Sequence, residues 1–272
     1  VHFYHIAKRE LKLGFRNPWS YSFLALFSLF TLALMVIQSR SWLEGYTYTT
    51  GTMITLILYL LPLMTILLSS FSLTGEKEEG SWQLLSTYAL TSGSFLCGKY
   101  LGQAVVLAVI VCFGYGIAGI AGLVLGTGFS FSTLLFLLLF SLLIILMFLG
   151  IAMLIGALSK NRWQALTMGV SVWFFLILAW PTLLISILSF FPYGWIKPTL
   201  QVLTMLNPAE LVRLFSVIWL GGGSIFGPEY FKWVNWFDSP YGAVGFVTLC
   251  FAWICLTLYV AIFIWERRRY HD

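Results

Sequence analysis

Charged side chains are scarce in this chain. Lys and Arg together number 15 and Asp and Glu 10, which is 9% of 272 residues, while 60% are hydrophobic and the mean hydropathy is +0.92. A soluble domain carries about a quarter charged residues and an apolar share nearer half, so an ordinary globular fold is excluded. Histidine is almost missing: His2, His5 and His271 all lie near the ends, and no HExxH or Cys/His cluster exists. Cys97, Cys112, Cys250 and Cys255 have neither CxxC nor metal-ligand spacing, and are expected to be small core residues rather than a disulfide or metal set. No repeat or low-complexity tract divides the chain, so residues 1–272 read as one domain.

A membrane span needs about 20 mostly apolar residues. Six runs qualify, near 19–38, 52–74, 96–125, 131–158, 165–190 and 241–264, predicting an all-α polytopic membrane protein. Acidic and basic residues are absent from all six except for Lys99, just inside the third, where a long side chain is expected to snorkel to the interface. Charges at mid-span cost about 2.5–3.5 kcal/mol each, and their absence argues against a proton relay or voltage sensor. With the N-terminus in the cytoplasm, Lys8, Arg9, Lys12, Arg16, Lys77, Lys99, Lys160, Arg162 and Arg267 to Arg269 lie inside, and Arg40, Lys197, Arg213 and Lys232 outside. That is the positive-inside bias, and an even number of spans puts both termini in the cytoplasm. The pI of about 9.0 follows from topology, so no nucleic-acid partner is implied. The basic stretch before the first span is too long for a cleavable signal, and no small-residue cleavage site follows it.

Residues 2–16 predict an amphipathic elbow helix: Phe3, Tyr4, Ile6, Ala7, Leu11, Leu13 and Phe15 fill one arc, and His5, Lys8, Arg9, Lys12 and Arg16 the other, which faces lipid headgroups. Glu10 falls within the apolar arc. It reads either as an exposed carboxylate at the arc's edge or as a group that pairs with a cytoplasmic cation and locks the elbow to the bundle. Pro62 and Pro181 are expected to kink the second and fifth spans. Gly114, Ala118, Gly122 and Gly126 recur every four residues along the third, a stripe that lets helices approach closely, whether within one chain, at a dimer seam or along a path. Between the fifth and sixth spans, residues 191–240 predict an external cap lying on the membrane surface. Within it Asn207, Pro208 and Glu210 form a helix start that runs to Leu220 and stops at Gly221, and Trp233, Trp236 and Phe237 suit the interface.

One pattern misleads. Gly93-Ser-Phe-Leu-Cys-Gly98-Lys99 fits the first seven positions of a phosphate-binding P-loop, but Tyr100 stands where Ser or Thr must bind magnesium, and the segment opens a membrane helix. The chain itself therefore offers no nucleotide site and no catalytic constellation, and no cofactor is expected in it. The strongest positive signal is a polar island at 75–93. Glu76, Glu78 and Glu79 precede Gly80-Ser81, a favourable place for negative charge if a short helix begins there. Trp82, Leu84, Leu85 and Tyr88 then form an apolar knob suited to a partner's groove.

These features together resemble the ABC-2 family of permeases: a basic elbow with Lys8-Arg9-Glu10-Leu11, six spans, an acidic-Gly segment after the second and a large external loop before the sixth. The resemblance covers essentially the whole chain. It implies paired permease subunits, each docking a cytoplasmic ABC ATPase through the segment between spans two and three, with ATP and Mg bound in that ATPase. By it, Glu76 to Leu90 is the coupling helix and Glu79-Gly80-Ser81 matches the family's Glu-Gly-Thr signature. Within the family the likeness runs to NosY-type permeases of nitrous-oxide reductase maturation, on Gly75-Glu76, Leu84-Leu85, Thr87-Tyr88, Gly98-Lys99, Leu206-Asn207-Pro208 and Arg213. It departs at Ala89, where proline is usual, and at Ser92. That likeness implies a periplasmic or extracellular maturation partner, a role in copper-site assembly and residence in the cytoplasmic membrane. Two alternatives remain open: an exporter of a hydrophobic compound or ion, and a mechanotransmitter that reshapes an external partner without moving free solute.

Overall fold

The computed structural model describes residues 2–38, 48–80, 91–124, 130–227, 230–237, 239 and 241–269. Among these every regular element is helical. We number them α1 (His2–Gly14), α2 (Pro18–Gln38), α3 (Tyr48–Glu78), α4 (Ser92–Val124), α5 (Phe131–Leu158), α6 (Arg162–Leu188), α7 (Tyr193–Leu206), α8 (Pro208–Trp219), α9 (Phe231–Phe237) and α10 (Gly242–Arg269). Five are long and apolar enough to cross a membrane: α3, α4, α5, α6 and α10. The bent pair α7–α8 raises that to six if it counts as one span, and α2 is a shorter apolar helix over its described run Pro18–Ala33. The chain is an integral membrane protein.

The bundle is built around α3 and α5, where Ile66, Leu73, Ile144, Phe148, Leu149 and Met153 are almost fully buried. In lipid, close approach rather than water exclusion drives helix pairing, and glycines permit it. A Cβ on Gly156 of α5 would meet Leu73, and one on Gly114 of α4 would lie 2.5 Å from the Phe27 ring of α2. The small-residue stripe thus packs within the chain at Gly114, and Ala118 and Gly122 are buried too; Gly126 lies outside the described residues. Cys250 alone of the four cysteines is buried. Cys112 and Cys255 face outward, all four are free thiols, and the expectation of core cysteines fails for those two.

Of the region expected to be a surface cap, α8 and part of α9 pack into the bundle, while Trp195, Val202, Leu206, Ile225 and Phe231 stay exposed. The helix start is as predicted: the Asn207 side chain accepts from the Ala209 amide at 2.9 Å, Pro208 opens α8, and Gly221 ends it with φ +83°. Yet α7 and α8 are bent by 108° at that point, and Leu211, Val212, Leu214 and Val217 of α8 are buried. Trp233 and Phe237 are buried as well. Phe237 packs edge-on to Phe215 at 5.3 Å, and Phe215 stacks on Phe246 of α10 at 3.8 Å. Amphipathicity predicted a surface helix; most of its apolar residues are instead buried, with Phe215 packed against aromatics of α9 and α10.

Candidate functional site: a charged hub at the end of α3

The polar island begins while α3 is still helical. Its last turns carry Gly75-Glu76-Lys77-Glu78, and Gly80, in the left-handed region at φ +67°, ends the helix. Glu76 and Glu78 therefore lie at a helix C-terminus, where the dipole disfavours negative charge. The helix expected to begin after them falls on residues outside those described, and what offsets them is a ring of partners from three other elements, α1, α4 and α6. Ser81, Trp82, Leu84, Leu85 and Tyr88 lie outside the described residues.

The first group of partners joins α3 to α1 and α4. Lys99 of α4 is completely buried rather than snorkelling, and Glu10 of α1 is 1% exposed. Their Nζ–Oε1 distance is 2.6 Å. The ammonium also donates to Ser72 Oγ at 3.0 Å and lies 3.2 Å from Glu76 Oε1. The second oxygen of Glu10 accepts from Ser72 at 3.0 Å and from Gln103 Nε2 at 3.1 Å. Arg9 reaches Glu76 at 3.0 Å from the rim. Two cations face two carboxylates, the arrangement that lets buried charge survive where a lone ion would not. Burial pushes the Glu10 carboxyl up, but the Lys99 charge and the three hydrogen bonds outweigh it and hold the carboxyl below its ordinary value.

Local sequence makes room for this cluster. Gly98 and Gly102 flank Lys99 and share its side of α4, one turn apart. A Cβ on Gly102 would stand 2.5 Å from Glu10 Cβ, and one on Gly98 2.9 Å from Ile6. Only glycine lets α1 come down onto α4 far enough for Glu10 to meet Lys99. Glu10 is thus the paired carboxylate of the two readings, while Lys8 and Lys12 remain exposed on the far face of α1.

The second group clamps the turn between α5 and α6. Lys77 Nζ donates to the carbonyls of Gly156, Ala157 and Ser159 at 2.9, 3.1 and 2.7 Å, which places a cation on the negative C-terminus of α5. The same ammonium sits 4.6 Å over the Trp265 ring of α10. Its neighbour does the converse. Glu78 accepts the Arg162 amide at 2.8 Å, a carboxylate on the positive N-terminus of α6, beside the Asn161 cap on Gln164. The Arg162 guanidinium returns to Glu78 at 3.3 Å and to Glu79 at 3.1 Å. Two adjacent residues of opposite charge grip the two opposite dipole ends of one turn.

Sequence reasoning singled out Glu10 and Arg9 in the elbow and Glu76, Glu78, Glu79 and Gly80 in the polar island without joining the two, and it gave no site role to Ser72, Lys77, Lys99, Gln103 or Arg162. A signal existed: Gly98-Lys99 and Gly102-Gln103 repeat a glycine-polar pair at four-residue spacing, which on a helix is one face. Beside the hub a cavity of about 620 Å³ opens between α2, α3 and α6, walled by Trp19, Phe23, Phe71 and Trp163 with Glu78 and Arg162 at its rim. Asn207, Pro208, Glu210 and Arg213 lie elsewhere, on the bent pair, where Arg213 holds Glu210 at 2.7 Å.

A family model described as ABC-2 family transporter protein matches residues 4–269 of this sequence. The chain belongs to the ABC-2 family. Among its relatives, the probable ABC transporter permease protein NosY of Stutzerimonas stutzeri is 28% identical over 274 residues, covering 97% of this chain and 98% of that protein. The Pseudomonas aeruginosa protein of the same description is 31% identical over 221 residues, covering 78% and 80%. The NosY-type likeness read from short motifs thus extends along most of the chain. For an ABC-2 permease the family implies a membrane subunit that is not itself catalytic and that works with an ATPase.

Proposed function

We propose that this chain is the membrane half of an ATP-driven transporter of the cytoplasmic membrane, working as a homodimer with a separate cytoplasmic ATPase docked on residues 75–93. ATP and Mg act in that ATPase. The observation that carries the reading is the hub. The segment that would receive the ATPase leaves α3 where, among the described residues, α3 is tied through charged side chains to α1, α4, the α5–α6 turn and α10. A displacement of that segment is delivered to all of them at once, and the buried ion pairs make the connection stiff. The copper-enzyme maturation role implied by the NosY likeness, with an extracytoplasmic partner, is the narrower form of this proposal. The contact of α8 with the core favours a second form, in which the stroke reshapes that partner without free solute crossing. ATP-driven flux in vesicles separates the two, since a pure transmitter gives none.

The test is capture of the ATPase. Glu79 is largely exposed and holds only Arg162, so Glu79→Lys should change stability by about 1 kcal/mol or less. Together with Trp82→Ala it should nevertheless reduce recovery of the ATPase with the purified permease. Undiminished recovery from both variants refutes the docking site.

A further inference from the structure

Three irregular stretches of backbone meet at one place away from the hub. In α3, Pro62 has no amide to give the Leu58 carbonyl. One residue along, the Tyr59 carbonyl accepts from Trp173 Nε1 of α6 at 2.9 Å. In α6 the backbone shifts into π-helical register over Phe174–Ala179, and the Trp180 amide bonds the Phe175 carbonyl five residues back. The next donor in that register belongs to Pro181, which has none, so the Leu176 carbonyl loses its intrahelical partner. Asn207 supplies it: its Nδ2 donates to Leu176 O at 2.6 Å while its Oδ1 caps α8, at the 108° bend between α7 and α8. Between the three breaks lies a void of about 70 Å³, bordered by Tyr59, Leu176, Ile177, Pro181, Ala209 and Glu210, with room for about two waters.

We infer that these breaks form one articulated joint with Asn207 as its pivot, through which motion of α3 is passed by way of α6 to the α7–α8 pair. The inference rests on the proposed ATP-driven function for what drives the joint, not for how the joint is built. In α6 a carbonyl left without a donor in its own helix is bonded by a neighbour, and in α3 the carbonyl beside the one Pro62 deprives is bonded by Trp173. π-Helical turns and prolines are where helices can bend, and here each such place is fastened to the next element rather than left free. A side chain that is both the cap of α8 and the missing donor of α6 cannot follow one helix without moving the other.

Hydrogen–deuterium exchange of the permease in lipid nanodiscs tests this with a variant that spares the cap. Asn207→Ser keeps an N-cap hydroxyl but cannot reach Leu176. It should speed exchange in the 174–183 peptide by about five- to tenfold, the loss of one hydrogen bond. Pro181→Ala restores an amide donor, so exchange there should slow, and Asn207→Ser in that background should change it less than about twofold. Equal effects in both backgrounds, or none in either, overturn the latch. In the complex with its ATPase, trapping with ATP and vanadate should alter exchange in the 174–183 and 207–213 peptides while 140–155 stays constant. Trapping without such a change shows a static brace and overturns the joint, while the permease reading stands. A purified complex with no ATPase sinks the permease reading and the driven motion with it, and the Asn207–Pro181 cycle still decides whether the latch exists.

Discussion

Lys99→Met removes the one cation that touches both Glu10 and Glu76. It leaves two carboxylates in a site where Glu10 is 1% exposed, with Arg9 compensating only from the rim. Taking one partner from a buried ion pair costs about 3–5 kcal/mol. Glu10 reaches α3 and α4 only through this cluster, so the cost falls on the docking of α1. At about 1.4 kcal/mol per factor of ten, α1 should open about a hundredfold more often or beyond. Glu10→Gln is milder, because Lys99 retains Glu76 at 3.2 Å and Ser72 at 3.0 Å. In addition, Gln103 Oε1 has no hydrogen-bond partner among the described residues, so that amide can turn to receive the new one, and about 1–3 kcal/mol is expected. The double variant should cost less than the sum, with a coupling of about 2 kcal/mol or more. The assay is amide exchange of the 3–13 peptide in nanodiscs, with α5 as the internal reference. If Lys99→Met speeds α1 exchange less than about threefold while α5 is unchanged, or if the double variant is additive, the cluster is not what holds α1 down.

Three further expectations follow from the same geometry. Gly102→Ala should dislodge α1 by about 1–3 kcal/mol, since its Cβ would stand 2.5 Å from that of Glu10; Gly116→Ala, with nothing within 4 Å, is the control in the same exchange experiment. Lys77→Met should loosen the α5–α6 turn by about 1–2 kcal/mol, read as a lower Tm and as ATP hydrolysis no longer matched to transport; an unchanged stoichiometry would separate the turn from coupling. The pH response follows from Glu10, whose carboxyl is held below its ordinary value. A depressed carboxylate contributes its full stability above its unfolded value and loses it as pH falls through the folded one. Exchange of α1, corrected for intrinsic rate, should therefore be flat from about pH 8 to 5 and rise only below about 4.5.

Much of this protein was legible in the order of its residues, because the bilayer enforces simple rules. Long runs without charge must be helices, since backbone groups in hydrocarbon have to satisfy themselves. The ends of α3, α5, α6 and α10 fall close to where hydropathy changes. Local chemistry was equally readable: Asn207-Pro208 starts α8 and Gly221 stops it, because capping depends only on neighbours within a turn. The family was within reach for the same reason, through short motifs spread along the whole chain.

What the tertiary structure alone decided is which faces meet. An amphipathic helix at 208–219 has the same sequence pattern whether its apolar face lies on lipid or on Phe237 and Phe246. Lys99 has the same stem whether it snorkels or is buried, and only the approach of α1, permitted by Gly98 and Gly102, puts Glu10 89 positions away within 2.6 Å of it. Glu76, Lys77 and Glu78 read as one charge run, yet Glu76 serves α1 and α4, Lys77 serves α5 and α10, and Glu78 serves α6, because successive residues on a helix point about 100° apart. Hydropathy and capping are properties of a chain with itself. The hub and the joint are properties of helices with one another, fixed by long-range contacts that no local pattern carries.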